Sequence, residues 1–264
     1  MRIGFLGGDA RMRIPAAKLL GRGHSVCSLA PFGVGVSAES AKELCAFSDI
    51  LVFPTPASRD ARTVAGTSLT VDMLPIEQRH AVFGGYFPKN WRFPARKVFD
   101  CAFDESFLLR NAALTADGGI AAALSATERA FYGCRIAVIG YGRIAKMLLR
   151  RLSGFGVPVT VYARRREALA DAALSGFSAL PLEGDTLFSE NIIFNTVPES
   201  VFGGVRVKAF AHVFDLGGGM PSRLLGQGED SYPVTSMRGV PGVFAPTAAG
   251  EIIFDALSSF LSTL

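Results

Sequence analysis

The residues of this chain best suited to chemistry lie in two glycine turns, not in a metal or nucleophile cluster. The first, Gly140-Tyr141-Gly142-Arg143-Ile144-Ala145, follows the apolar run 135–139 and opens a helical pattern. In that context a Gly-x-Gly-x-x-Ala turn reads as a dinucleotide fingerprint. Gly140 permits the tight turn, Gly142 lets backbone amides approach a pyrophosphate, and Ala145 lets helix and strand pack closely. The diphosphate then sits on the positive end of the helix dipole. Tyr141, Arg143 and Ile144 complete the expected cofactor loop.

Cofactor choice is read at the end of the next strand. An acid there accepts the ribose hydroxyl of NAD, whereas an arginine accommodates the 2′-phosphate of NADP. Here Val159-Thr160-Val161-Tyr162 is followed by Ala163-Arg164-Arg165-Arg166, with no acid before Glu167. A guanidinium binds phosphate in a two-pronged geometry. Arg164 and Arg165 therefore point to NADP, with NAD as the alternative; the same arginines also suit a solvated helix start. Asn195-Thr196-Val197-Pro198 and Asp215 end two further strand patterns. Open sheets place ligands at such ends, so these residues are expected to flank ribose and nicotinamide.

The second turn, Gly7-Gly8-Asp9-Ala10-Arg11, ends the first apolar run. It can offer backbone amides at Gly8, the Asp9 carboxylate and the Arg11 guanidinium to an anion, although Asp9 is also a good helix cap. Arg59, beyond Pro54-Thr55-Pro56, is a further anion contact or a surface residue. His24, His80 and His212 have no metal spacing and no evident Ser or Cys partner, so no metal site is expected.

These turns need a scaffold of alternating strands and helices. Strands are predicted over 2–6, 25–29, 50–53, 81–83 and 97–99, with helices over 14–20 and 38–47. Helices follow over 105–111 and 116–131, the second being the expected connector. A second alternation has strands over 135–139, 159–162, 192–196 and 213–216, and a helix over 144–152 closed by Gly154 and Gly156. The last stretch, 248–264, puts Ile252, Ile253, Leu257, Phe260 and Leu261 on one helical face and is expected to return to the first domain. The fold class is α/β, with two doubly wound parallel-sheet domains of which the second is a Rossmann domain. The expected boundaries are 1–115 plus 247–264, and 116–246.

At 264 residues, 49% hydrophobic and 19% charged, the chain has apolar material for two buried cores. Its apolar runs fall far below the roughly 18 residues of a membrane span, and its first residues lack a signal-peptide core. The cytoplasm is the expected compartment. Cys27, Cys45, Cys101 and Cys134 are too scattered for zinc or a disulfide scaffold and read as reduced core thiols. A net charge of +4 without aromatic-interleaved basic runs favours small anions over nucleic acid as partners.

In order along nearly the whole chain, Gly7 to Arg11, the stretch 111–118, Ala137 to Arg143, Asn195 to Pro198 and Val240 to Gly250 resemble the dipicolinate synthase A-subunit family of spore-forming bacteria. The sequence departs from that pattern at Leu216-Gly217-Gly218-Gly219, where a Ser-Arg-Pro type segment is expected, and at Asp117, where Glu is expected. The resemblance implies oxidation of a dihydrodipicolinate-type ring from the lysine pathway to dipicolinate during sporulation, with reduction of NAD(P). It also implies, as partner, the flavoprotein-like B-subunit of dipicolinate synthase; a homo-oligomer is compatible with it. On that chemistry Arg11 and Arg59 pair with the carboxylates of a small dicarboxylate, and Asp9 or Asp117 takes the proton. The alternatives are a hydroxy-acid or alanine dehydrogenase-like enzyme, for which no catalytic His or Lys is identifiable, and a non-catalytic NADP-binding protein that organises a partner.

Overall fold

The computed structural model describes residues 1–29, 33–127, 130–184, 186–197, 206–207, 211–218 and 233–264. The chain divides into two compact units, Met1–Asn111 with Ala245–Leu264, and Ala112–Phe244.

The first unit contains β1 (Arg2–Phe5), α1 (Arg13–Gly21), β2 (Ser25–Ser28), β3 (Val36–Ser37), α2 (Ala41–Phe47), β4 (Ile50–Val52), β5 (Ala81–Gly84) and β6 (Lys97–Asp100). Its sheet runs β3-β2-β1-β4-β5-β6, and every pair is parallel. The central strands β1 and β4 are apolar because helices or loops cover both faces of a parallel sheet. Helix α2 begins three residues later than its periodicity suggested. Ser40 is extended, and its hydroxyl accepts the Glu43 amide at 3.2 Å, so it is the cap and not part of the helix.

The expected break between 111 and 116 is absent: α3 (Glu105–Ala126) is one helix of 22 residues. Nothing between Asn111 and Ala116 breaks a helix. Gly118 and Gly119, which weaken helical propensity, serve packing in the second unit. A side chain at Gly118 would run into Val240 and Phe244, and one at Gly119 into Leu216.

The second unit continues with β7 (Ile136–Ile139), α4 (Arg143–Leu152), β8 (Val159–Ala163), α5 (Arg166–Leu174), β9 (Ser178–Pro181), β10 (Leu187–Phe188), β11 (Ile192–Asn195), β12 (Arg206–Val207), β13 (His212–Asp215), β14 (Val234–Ser236) and α6 (Val240–Phe244). Its main sheet runs β14-β13-β11-β7-β8-β9, again all parallel, while β10 and β12 form a small pair. Counted within each six-stranded sheet, both units have the order 3-2-1-4-5-6 of the doubly wound dinucleotide fold. Of the two glycines expected to close α4, Gly156 is left-handed at φ 64°, whereas Gly154 lies inside a 3-10 turn.

Helix α7 (Pro246–Leu261) belongs to the first unit and buries the face expected of it, Ile252, Ile253, Leu257, Phe260 and Leu261. Each such side chain contributes roughly 1.5 to 3 kcal/mol on burial. Gly250 is where α7 meets the first turn: a Cβ there would lie 2.6 Å from the Arg11 carbonyl oxygen and 2.7 Å from Ile14 Cβ. Gly250→Ala should therefore cost about 1 to 3 kcal/mol through overpacking. Urea unfolding of the variant measures this, and an unchanged midpoint would show that the contact can yield.

Candidate functional site

In the second unit the expected dinucleotide turn joins the carboxyl end of β7 to the start of α4. Gly140 sits at φ 97°, where side chains are strained, and a Cβ would lie 2.6 Å from both Thr196 Oγ1 and Val197 Cγ1. Its role is therefore steric as well as conformational. Gly142 caps α4 at φ −89° and ψ −165°, and a Cβ there would meet nothing within 4 Å. Glycine at that position leaves open space over the first amides of the helix, which suits a pyrophosphate seated on the backbone. Ala145 is fully buried in the core beneath, among Ile136, Val138 and Leu148. Arg143 is exposed and Ile144 half-buried. The Tyr141 ring carries Lys146 Nζ over its face at 4.7 Å, and Lys146 also pairs with Asp171 at 2.8 Å.

The ends of β11 and β13 are tied to this turn by their own hydrogen bonds. Thr196 donates its hydroxyl to the Ile139 carbonyl at 2.7 Å. Asn195 is fully buried and donates from Nδ2 to Asp215 Oδ1 at 2.8 Å and to the Val197 carbonyl at 2.9 Å, while its Oδ1 accepts the Val197 amide at 3.1 Å. Asp215, 1% exposed, also accepts the Gly217 and Gly218 amides, each at 3.2 Å. The Leu216-Gly217-Gly218 departure from the expected pattern has a local reason: a side chain at Gly217 would strike the Val197 backbone. Asn195, Thr196 and Asp215 thus hold three loops in register at the carboxyl ends of the strands. Pro198 lies outside the described residues. Arg164 and Arg165 follow the end of β8 and are exposed, with Arg165 capping α5.

In the first unit, Gly8, Asp9, Arg11, Pro54, Pro56, Arg59, Ala65 and Gly66 line a cavity of about 150 Å³. Arg11 and Asp9 form a two-pronged pair, Nε to Oδ1 and Nη2 to Oδ2, both at 2.8 Å. Nη2 also donates to the Thr55 carbonyl at 2.7 Å. Asp9 doubles as the cap of a short 3-10 turn, accepting the Arg11 amide at 3.1 Å. Gly8 adopts φ 111°, and its amide, expected to face an anion, instead donates to the Ala65 carbonyl at 2.9 Å because the chain at Ala65-Gly66 packs against it; this closes one wall of the cavity. Arg59 is exposed, and the loop after it is knotted by Asp60, whose carboxylate accepts from Ser58, Arg62 and Thr63.

The structure thus brings Gly8, Asp9, Arg11 and Arg59 together around one cavity. Burial pushes the Asp9 carboxyl up, but hydrogen bonds and charge from Arg11, with the charge of Arg59, outweigh it and hold Asp9 below its ordinary range. Asp117 belongs to the other unit, on α3, where Arg151 Nε and Nη2 donate to its two oxygens. Both carboxylates expected to take a proton are therefore engaged by a guanidinium. Sequence reasoning missed the Thr55 carbonyl and the Ala65-Gly66 wall. The Pro54-Thr55-Pro56 segment carried the signal, since prolines on either side of a residue leave its carbonyl free of a strand ladder. His80 is fully buried and structural: Nδ1 accepts the Glu77 amide at 2.8 Å and Nε2 lies 2.9 Å from the Cys45 carbonyl. All four cysteines are buried and free, with burial pushing Cys45 up to about 11 and Cys101 up to about 12. Among the described residues no group of His, Cys, Asp and Glu could hold a metal ion, and no helix is long and apolar enough to cross a membrane.

Residues 110–200 match the family model described as D-isomer specific 2-hydroxyacid dehydrogenase, NAD binding domain. Together with the strand order and the open glycine turn, that match defines the second unit as a dehydrogenase-type, NAD-binding Rossmann domain. The particular resemblance is to the A-subunit of dipicolinate synthase. The chain is 25% identical over 238 residues to that protein from Bacillus subtilis (strain 168), covering 82% of this chain and 78% of the relative. The crystal structure of the dipicolinate synthase A-subunit from Bacillus halodurans matches the fold with a TM-score of 0.73 at 19% identity, covering 98% of this chain and 97% of that one. The Bacillus subtilis structure matches with a TM-score of 0.72 at 20% identity, covering 100% and 96%. The sequence-based resemblance thus holds in both sequence and fold.

Proposed function

We propose that this chain is the dehydrogenase component that oxidises a dihydrodipicolinate-type ring to dipicolinate, in the cytoplasm and together with a flavoprotein-like second subunit. The observation that carries the proposal is the guanidinium-lined cavity at the first βα turn, on a chain that resembles the dipicolinate synthase A-subunit over most of its length. When bound, the nicotinamide dinucleotide supplies the hydride acceptor. This chain supplies position and charge: the amides at the start of α4 hold the pyrophosphate, and the loops locked by Asn195, Thr196 and Asp215 shape the ribose and nicotinamide end. Arg11 and Arg59 hold a ring carboxylate in the first unit, against a wall closed by the Gly8 amide and the Ala65 carbonyl. Loss of a hydride and a proton makes the ring aromatic, so orientation of a bound substrate is the main demand on the protein.

Formation of dipicolinate from the dihydro ring by the purified chain, with and without its partner subunit, tests this proposal. Product appearing with stoichiometric reduction of NAD(P)+ supports it. Cofactor binding with no turnover under either condition would favour the non-catalytic role instead.

NADP is the proposed cofactor, on the strength of the exposed Arg164 and Arg165 at the end of β8. Replacing both by serine should weaken NADP about tenfold or more while leaving NAD nearly unchanged, because only NADP carries the phosphate they pair with. Titration of both cofactors into both proteins measures it. A wild-type preference for NAD, or equal losses for the two, would contradict the choice.

A further inference from the structure

The charged side chains lining the first-unit cavity are two arginines, Arg11 and Arg59, and one aspartate, Asp9, so the lining carries a net charge of +1. Arg11 is only 12% exposed at its side chain. Of its five N–H donors, Nε and both hydrogens of Nη2 are committed to Asp9 and Thr55. The two on Nη1 have no partner among the described residues. No buried side-chain nitrogen or oxygen among the described residues is left without a partner, so Nη1 is open to water, which a ligand oxygen can replace. The pairing with Asp9 fixes the guanidinium plane and hence the direction in which those hydrogens point.

We propose that this cavity is a clamp for a single carboxylate, and that Asp9 is the positioning and specificity residue that makes it so. Asp9 holds one edge of Arg11 and leaves Nη1 for the ligand. It also cancels one of two positive charges, so that a second carboxylate on the same ligand gains little here. The proposal rests on the assignment of ring-carboxylate binding to this cavity and adds its stoichiometry: one carboxylate of the substrate is held by the first unit, and the other is not neutralised there. It also gives Asp9 a role other than proton acceptor.

The test is calorimetric titration of the full chain with dipicolinate, a dicarboxylate, and picolinate, its monocarboxylate counterpart. For the wild type the two affinities should agree within about threefold. In Asp9→Asn the net charge of the lining rises, so the preference for dipicolinate over picolinate should grow by about tenfold at low salt and shrink as salt is added. Asparagine and serine are both good caps, so the 3-10 turn is retained in Asp9→Asn and Asp9→Ser. The same change of ratio is expected in both. A ratio that stays within about twofold of wild type in both variants, while Arg11→Ala still abolishes binding of either ligand, overturns the proposal and leaves the carboxylate site standing. Binding of neither ligand by the wild type, or equal binding by wild type and Arg11→Ala, overturns both.

Discussion

Replacing Gly142 by valine is expected to abolish dinucleotide binding and leave the fold intact. The position has a backbone conformation open to any L residue, and a Cβ there meets nothing within 4 Å of protein. The substitution therefore costs the folded chain little. The space it fills is the space over the first amides of α4, and a pyrophosphate has to enter van der Waals range of those amides to use the helix end. Loss of affinity should exceed about a hundredfold, or about 2.7 kcal/mol, because the diphosphate contacts are lost together. Gly140→Ala is the informative contrast: at φ 97° and against Thr196 and Val197 it should lower the unfolding midpoint itself. Calorimetric titration alongside thermal unfolding separates the two cases. Unchanged NADP and NAD affinity in folded Gly142→Val would remove the turn from the cofactor site.

Arg11→Ala is expected to reduce the specificity constant for dipicolinate formation by about 2 to 4 kcal/mol of transition-state stabilisation, with cofactor affinity unmoved. Three of the guanidinium's donors already hold the cavity wall, through Asp9 and Thr55, and the remaining two face no partner among the described residues. Truncation removes the ligand's charge-assisted bonds and the tie between the turn and the Thr55 carbonyl at once. Asp9, 41% exposed at its side chain, can rehydrate, so most of the loss should fall on substrate and not on stability. Initial rates at several substrate concentrations, measured with the partner subunit present, decide it. A specificity constant within about twofold of wild type, under about 0.5 kcal/mol, would return the turn to a purely structural role and direct attention to Arg59.

Much of the scaffold could be read from local pattern. The run from Ile136 through the glycine turn to Leu152 carries strand, turn and helix signals that agree with one another, and the structure follows them to within a residue. The apolar face of α7 was equally plain because five large side chains recur at helical spacing. The edge strand β9 was not legible, since its half-exposed residues form no apolar run. The unbroken course of α3 was missed at 112–115, where no residue breaks a helix, and Gly118 and Gly119 within it are explained only by what packs against them.

The site divides along the same line. By itself the sequence determined which residues have the chemistry, namely two glycine turns at strand ends, the arginines 11, 59, 164 and 165, and a short list of carboxylates, because residue type and local spacing follow from covalent connectivity. Only the tertiary structure decided how those groups are spent. Asp9 and Asp117, alike in sequence as candidate bases, are each engaged by an arginine: Asp9 by one two positions away in its own turn, Asp117 by one 34 positions along the chain. Asp215, expected at the cofactor, is sealed beneath its loop by Asn195 and two glycine amides. The Thr55 carbonyl completes the hold on Arg11 from 44 residues away. The physical reason is that the state of a charged group depends on the partners and the dielectric within a few ångströms of it, and packing assembles those partners from distant parts of the chain.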